Sequence, residues 1–173
     1  MSVDIFSRKC YVDLMDQSRP TLFLDFDGVL NTPEFTNMFG ARLNPNKVNL
    51  LWQILQQSNC QIVLSTAWRC HPLDKIKEEF HCFGFRDKIE DNVVDEIMKR
   101  IVGVTDDLKF LKLSAEKQRQ FEINGFVSDN DLSKWVAVDD LQLNLGDDNF
   151  VKTEEDVGLT LNLVDVIIKK LGE

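Results

Sequence analysis

Residues 21–30 read TLFLDFDGVL. Thr21 to Leu24 have the make-up of a buried strand, and Asp25, Phe26, Asp27 and Gly28 follow directly. Two carboxylates one residue apart, at the end of a buried parallel strand, point out of the same edge of a sheet. Open α/β proteins place their chemistry at that edge. Aspartate is depleted in strands, and an ionised carboxylate is costly to bury without a partner. A cation, or a substrate that needs two acids, is the natural reason for such a pair. Gly28 lets the backbone turn sharply and come close to a ligand.

Downstream, strands and helices alternate. Val48, Leu51, Trp52 and Leu55 recur at i, i+3, i+4 and i+7, which predicts a helix over about 47–57. A strand at 61–64 runs into Ser65-Thr66-Ala67-Trp68-Arg69, and Pro72 opens a helix to about Phe80. The next helix, about 90–100, carries Glu90, Asp91 and Asp95 early and Lys99 and Arg100 late, matching the helix dipole. Ile101 to Val104 form a third strand. Ser114 and Gly125 bracket a further helix as N-cap and C-terminal glycine. A fourth strand, Lys134 to Val138, ends in Asp139-Asp140; Phe150-Val151 is a short fifth. The last helix, about 160–171, is expected to bury Leu163, Val164, Ile167, Ile168 and Leu171. This alternation predicts an α/β fold of three layers, Rossmann-like, with a mainly parallel five-stranded sheet.

A chain of 173 residues, 43% apolar and 28% charged, is long enough for one compact domain and too apolar for disorder. The expected layout is one domain over 1–173, with a core at about 20–171 and an N-terminal extension at 1–19. No stretch approaches the length of a membrane span, and the N-terminus lacks a signal-like apolar run, so a soluble, cytoplasmic protein is expected. Residues 1–119 hold 17 acids against 16 Lys or Arg, whereas residues 120–173 hold 12 against 4. The net charge of −9 argues against sequence-independent binding along a nucleic-acid backbone, but not against recognition of a nucleic-acid end. Cys10, Cys60, Cys70 and Cys82 form no CxxC pair. Cys70-His71 and His81-Cys82 are mirrored, yet adjacent residues rarely ligate one ion together, so reduced thiols in ordinary roles are the simpler reading.

Three further motifs sit where ligands bind in such a sheet. Ser65 and Thr66 follow the second strand, where a hydroxyl and backbone N–H groups can hold a phosphoryl oxygen; a capped strand-end turn is the plainer alternative. Lys117 and Arg119 lie in the first turns of the helix opened by Ser114. A cation there opposes the helix dipole by about 0.3–1 kcal/mol unless an anion is near, although a solvated lysine on an open face is equally ordinary. Asp139 and Asp140 end a buried strand, which is hard to explain without a cation.

In this order the motifs resemble those of the haloacid dehalogenase (HAD) superfamily of aspartate-nucleophile phosphatases. The string LSTAWR, the Glu122-Ile123 pair after a basic residue, and the tail from Asn149 to Thr160 resemble one branch, the small HAD domain of Swiss-army-knife RNA-repair proteins. The resemblance runs from about residue 20 to 171. It implies phosphoryl transfer through an aspartyl-phosphate, with Asp25 as nucleophile and Asp27 as general acid and base. It further implies Mg²⁺ held by Asp25, the backbone carbonyl of Asp27 and Asp140, with Asp139 in support. Thr66 or Ser65, and Lys117 or Arg119, would hold the transferred oxygens. The second acid, Asp27, favours a phosphatase or mutase over a dehalogenase or a transport ATPase.

Cap insertions look small. About 18 residues, 28–46, separate the first motif from the first helix, room for a hairpin flap but not for a helical cap. An open site suits a bulky phosphorylated partner, a nucleic-acid end or a phosphoprotein. A small-metabolite phosphatase with a partner-supplied cap, and a non-catalytic phosphate- or partner-binding module, are the alternatives. Receiver-like and TOPRIM-like acidic sites fit poorly, because this chain carries its DxD on the first strand. Phe35, Phe39 and Trp68 are aromatics able to stack on a base, with core packing as their commoner role.

Overall fold

A computed structural model of the chain describes residues 15–40, 43–80 and 90–172. In order these form β1 (Thr21–Leu24), α1 (Pro33–Phe39), α2 (Pro45–Ser58), β2 (Gln61–Leu64), α3 (Leu73–Phe80), α4 (Asp91–Arg100), β3 (Ile101–Val104), α5 (Ala115–Asp129), β4 (Trp135–Asp139), β5 (Phe150–Lys152) and α6 (Leu161–Gly172), with short 3₁₀ turns at Ala67–Cys70 and Lys109–Leu111. The sheet is wholly parallel, in the order β3-β2-β1-β4-β5. The expected α/β fold with a parallel five-stranded sheet is the one observed.

Strand alternation builds the two faces. Leu22, Leu24, Ile62, Leu64, Val136 and Val138 join one buried cluster with Leu51 and Leu55 of α2, Val94 and Ile97 of α4, and Val164, Ile167 and Leu171 of α6. Phe23, Val63 and Ala137 point the other way, onto Ile123 of α5 and Leu143. Phe23 is held edge-on by Phe126 and Trp135, each at 5.6 Å. These are period-2 strands buried on both faces, as a parallel sheet requires.

Local signals set the helices. Asn44 caps α2 by accepting from the Asn46 N–H, Pro45 occupies its first position, and Asn59 ends it at φ 53°. Leu163 and Ile168 of α6 are only partly buried, unlike Val164, Ile167 and Leu171. Gly125 does not end α5; the helix continues to Asp129 and is capped by Asn130. Packing overrides the glycine there, because Phe126 and Val127 must reach the second cluster. The 28–46 stretch holds no hairpin in its described part. Thr32 accepts from the Phe35 N–H and Pro33 follows it, which nucleates the seven-residue helix α1 instead.

The sheet edge is set by register. Leu24 pairs with Leu64 on one side and with Val138 on the other, so Asp25, Ser65 and Asp139 come level in one row. Backbone bonds continue past the strands, from Asp25 N–H to Val138 O (3.1 Å) and from Ser65 N–H to Leu24 O (2.9 Å). The chain winds outward in opposite directions from β1 and β4, which makes the cleft between them the switch point where α/β sheets bind ligands. No helix among the described residues is long and apolar enough to cross a membrane.

Candidate active site

Asp25, Asp139 and Asp140 bring one carboxylate oxygen each to within 4.8 Å of one another at that cleft. Asp25 and Asp139 are buried and Asp140 is half-buried. One cation from α5 reaches them. Arg119 Nη1 lies 2.9 Å from Asp25 Oδ2 and 2.6 Å from Asp139 Oδ2, and also donates to the Ser65 carbonyl. Asp25 Oδ1 accepts from the Phe26 N–H at 2.7 Å, and the Thr66 hydroxyl bonds the same carboxylate. Asp139 Oδ1 accepts from the Leu141 N–H at 2.9 Å.

Electrostatics follow from burial. Desolvation pushes the Asp25 carboxyl up, against the pull of Arg119. Asp139 is pushed up to about 8 by burial and by the charge of Asp25, and Asp140 is raised by the same two causes. One guanidinium, bonded to two of the three carboxyl groups, serves the whole cluster, so when fully ionised the cluster holds more negative charge than its own groups neutralise.

Asp27 stands apart from this cluster. It is exposed, with Oδ1 accepting from Asn31 Nδ2 at 2.9 Å and Oδ2 from the Trp68 indole N–H at 3.0 Å. Thr66 is fully buried; its Oγ1 accepts from the Trp68 N–H, and its hydroxyl meets Asp25. Ser65 Oγ is buried and has no hydrogen-bond partner. Lys117 is exposed on the outside of α5, while Arg119, two residues on, enters the site. The structure thus joins Asp25, Thr66, Arg119, Asp139 and Asp140, and leaves Lys117 outside.

A family model described as "HAD domain in Swiss Army Knife RNA repair proteins" matches residues 21–164. The chain belongs to this family. No curated protein and no solved structure matches it. Membership in the HAD family points to a phosphatase-type hydrolase.

The acidic cluster of this HAD domain suits a hard divalent ion. Its donors are all carboxylate oxygens, and one arginine offsets only part of the charge they carry when ionised. The backbone is also drawn in close. Gly28 sits at φ +68°, and a Cβ there would lie 2.6 Å from Asp140 Cγ, so only glycine fits against that carboxylate. The loop is braced from behind, because the buried Thr153 hydroxyl donates to the Gly28 carbonyl at 2.7 Å and the Leu159 N–H to the Val29 carbonyl at 2.8 Å.

Several supporting contacts are not evident from the sequence. Glu122 is buried, and its Oε1 accepts from Arg69 Nη2 (2.8 Å), Gln118 Nε2 (2.8 Å) and the Leu108 N–H (3.0 Å). Its Oε2 lies 3.9 Å from Arg119 Nε. Arg69 also donates to the Thr66 carbonyl at 3.2 Å, tying the turn after β2 to α5. The i,i+3 spacing of Arg119 and Glu122 on one helix was the available signal. Asn31 and Trp68, the donors to Asp27, had none beyond proximity. Of the four cysteines, Cys60 is buried and Cys70 exposed, both as free thiols; Cys10, His81 and Cys82 lie outside the described residues.

Proposed function

We propose that this protein is a Mg²⁺-dependent phosphomonoester hydrolase working through an aspartyl-phosphate on Asp25. The observation that carries this is the cluster of Asp25, Asp139 and Asp140 around Arg119 at the switch point of a HAD-type sheet. Asp25 and Asp140 side chains, with the backbone carbonyl of Asp27, are the groups that would hold Mg²⁺, and Asp139 supports them through Arg119. When bound, the ion withdraws charge from the phosphoryl oxygens and lowers the repulsion an anionic nucleophile meets.

The remaining steps belong to the chain. Asp25 is held by the Phe26 N–H, the Thr66 hydroxyl and Arg119, so its carboxylate is oriented before substrate arrives. It attacks phosphorus as the bond to the leaving oxygen breaks, and Asp27 supplies the proton which that oxygen takes up. Asp27 then accepts a proton from water as the water attacks the aspartyl-phosphate, which regenerates Asp25 and releases phosphate. Thr66, already bonded to Asp25, is assigned the phosphoryl oxygen contact in preference to Ser65. Arg119, placed inside the site, is assigned the cationic contact in preference to Lys117.

The substrate we infer is a phosphate on a macromolecule, a nucleic-acid end or a phosphoprotein. Between the first motif and α2, the described residues add only α1, too little to enclose a small metabolite. Remote contacts on a larger partner then supply the positioning. A cytoplasmic setting accords with two free thiols. The test is a phosphatase panel with and without Mg²⁺. Metal-dependent release of phosphate, abolished by EDTA, is expected; absence of turnover on every ester with Mg²⁺ present would leave a binding module instead.

A further inference from the structure

Two residues of α5 have no part in the mechanism above and no evident reason in this chain's own packing. Gly125 is the first. A glycine inside a helix weakens it relative to alanine, so its place there needs a cause. Gly103 has one, because a Cβ there would lie 3.0 Å from Phe126 Cζ. Gly125 has none of that kind. Among the described residues nothing comes within 4 Å of where its Cβ would stand, and its φ is not positive. Phe121 is the second. It is 57% exposed, one turn before Gly125, while Ile123, Phe126 and Val127 of the same helix pack toward the sheet.

Both residues lie on one groove. Phe121, Gly125 and Asp129 line it from α5 together with Phe126, Gly103 and Val104, and it encloses about 280 Å³. A cavity of about 150 Å³ already holds a benzene ring. The turn that starts at Leu108, itself a groove residue, adds Phe110 and Leu111, 72% and 44% exposed. Lys117, Phe121, Gly125 and Asp129 follow one another at intervals of four, so they make a single ridge along α5, and all four are exposed. The ridge starts with a cation and ends with an acid. Between them a large apolar side chain stands next to a gap. Among the described residues neither Lys117 nor Asp129 has an ion pair.

We propose that this ridge and groove form a self-complementary surface on which a second copy of the chain docks, α5 against α5, antiparallel about a two-fold axis. In a two-fold interface, if residue i meets residue j, then j meets i. An axis midway between Phe121 and Gly125 sets the phenyl ring of each protomer over the glycine gap of the other. The same axis brings Lys117 of each opposite Asp129 of the other. An axis at Phe121 would set ring against ring and Lys117 over Gly125; one at Gly125 would press Phe121 on Asp129. Only the middle register matches both size and charge. Ridges of i±4 residues interlock when two helices cross at about −50°, and a glycine at the crossing lets the backbones come close. The groove then has an occupant and Gly125 a cause. None of the four residues belongs to the carboxylate site, so the proposal does not rest on the phosphatase reading.

The test is sedimentation equilibrium of the full chain from low-micromolar to sub-millimolar concentration. The wild type should dimerise. Phe121→Ala should raise the dimer Kd at least about tenfold, as loss of a central aromatic anchor does. Gly125→Leu should do the same, although leucine favours the helix and the unfolding midpoint should not fall. That variant separates a blocked interface from a damaged fold. Lys117→Glu and Asp129→Lys should each weaken the dimer, since each sets like charges face to face. Mixed in equal amounts, these two variants should form a heterodimer more tightly than either self-associates, because every charge pair across the axis is then of opposite sign. A wild type that stays monomeric at every concentration overturns the proposal and leaves the groove to another protein or another part of this chain. A dimer indifferent to Phe121→Ala and Gly125→Leu overturns it as well, and so does an equimolar mixture that associates no more tightly than the single variants.

Discussion

Arg69 and Glu122 form a buried ion pair 2.8 Å long, with their side chains 7% and 1% exposed. The pair fastens the turn that carries Thr66 to the helix that carries Arg119. A buried charge stripped of its partner is costly, commonly by about 3–5 kcal/mol. Glu122→Ala strips two guanidinium groups, those of Arg69 and Arg119, of a shared acid. We expect it to lose about that much stability in urea unfolding. The double variant Arg69→Met/Glu122→Leu should recover part of the loss, because it removes the Arg69 charge together with its acid while Arg119 keeps Asp25 and Asp139. A double variant no better than the single one would mean that the pair does not act as a unit.

Asp25→Asn is expected to lower kcat by about a thousandfold or more while leaving the fold intact, since an amide is a poor nucleophile and retains the shape. Circular dichroism and the unfolding midpoint should match the wild type closely. Retention of near-normal turnover would remove the covalent route.

Asp139 and Asp140 are adjacent in sequence but differently engaged. Asp139 is tied up by Arg119 and the Leu141 N–H, whereas Asp140 packs against Gly28 and is half-buried. Asp140→Ala should therefore raise the Mg²⁺ needed for half-maximal activity more than tenfold, beyond the effect of Asp139→Ala. Asp139→Ala should instead lower kcat at saturating metal, through a misplaced Arg119. Titrations of activity against Mg²⁺ for the two variants decide this, and an equal metal dependence would merge their roles.

Much of the fold was legible because its signals are local. Val48, Leu51 and Leu55 show the helical period, and Asp25 with Asp139 mark strand ends by sitting where carboxylates do not belong. Gly125 misled because glycine tolerates a helix interior at about 1 kcal/mol, a cost that packing of Phe126 overcomes. The choice between Lys117 and Arg119 stayed open in sequence because two residues on a helix differ by some 200° around its axis, and only the packed helix shows which side meets the sheet. The Arg69–Glu122 pairing and the role of Asn31 were not legible for a different reason. Arg69 and Glu122 lie in different segments, and such long-range polar pairing leaves no periodic trace; Asn31 reaches Asp27 across an irregular turn, which has no period to read.

Cys60 and Cys70 should differ sharply toward alkylation. Burial pushes the Cys60 thiol up to about 11, and no solvent reaches it, while Cys70 is exposed. The thiolate is the reactive species. Brief iodoacetamide treatment of native protein at neutral pH, read by peptide mass spectrometry, should label Cys70 and spare Cys60 until denaturant is added. Equal labelling would show that the core around β2 opens on that timescale.

Asp27→Asn tests the acid by its leaving-group dependence. The Asp27 carboxylate accepts from Asn31 and from Trp68, one donor on each oxygen. An amide has one acceptor oxygen and would turn its NH₂ toward one of those donors, so the variant loses a hydrogen bond as well as a proton source. The lost bond penalises every substrate alike. The lost proton penalises only those whose leaving oxygen needs it. On alkyl phosphates and oligonucleotide ends we expect a fall in kcat of about a hundredfold or more, within the range of general acid catalysis. On p-nitrophenyl phosphate, whose leaving group departs readily as the anion, the fall should be at least tenfold smaller. Trp68→Phe, which removes one donor and keeps the carboxylate, supplies the control and should affect the two esters to a similar extent. Equal losses on both esters in Asp27→Asn would reduce Asp27 to a residue that shapes the site.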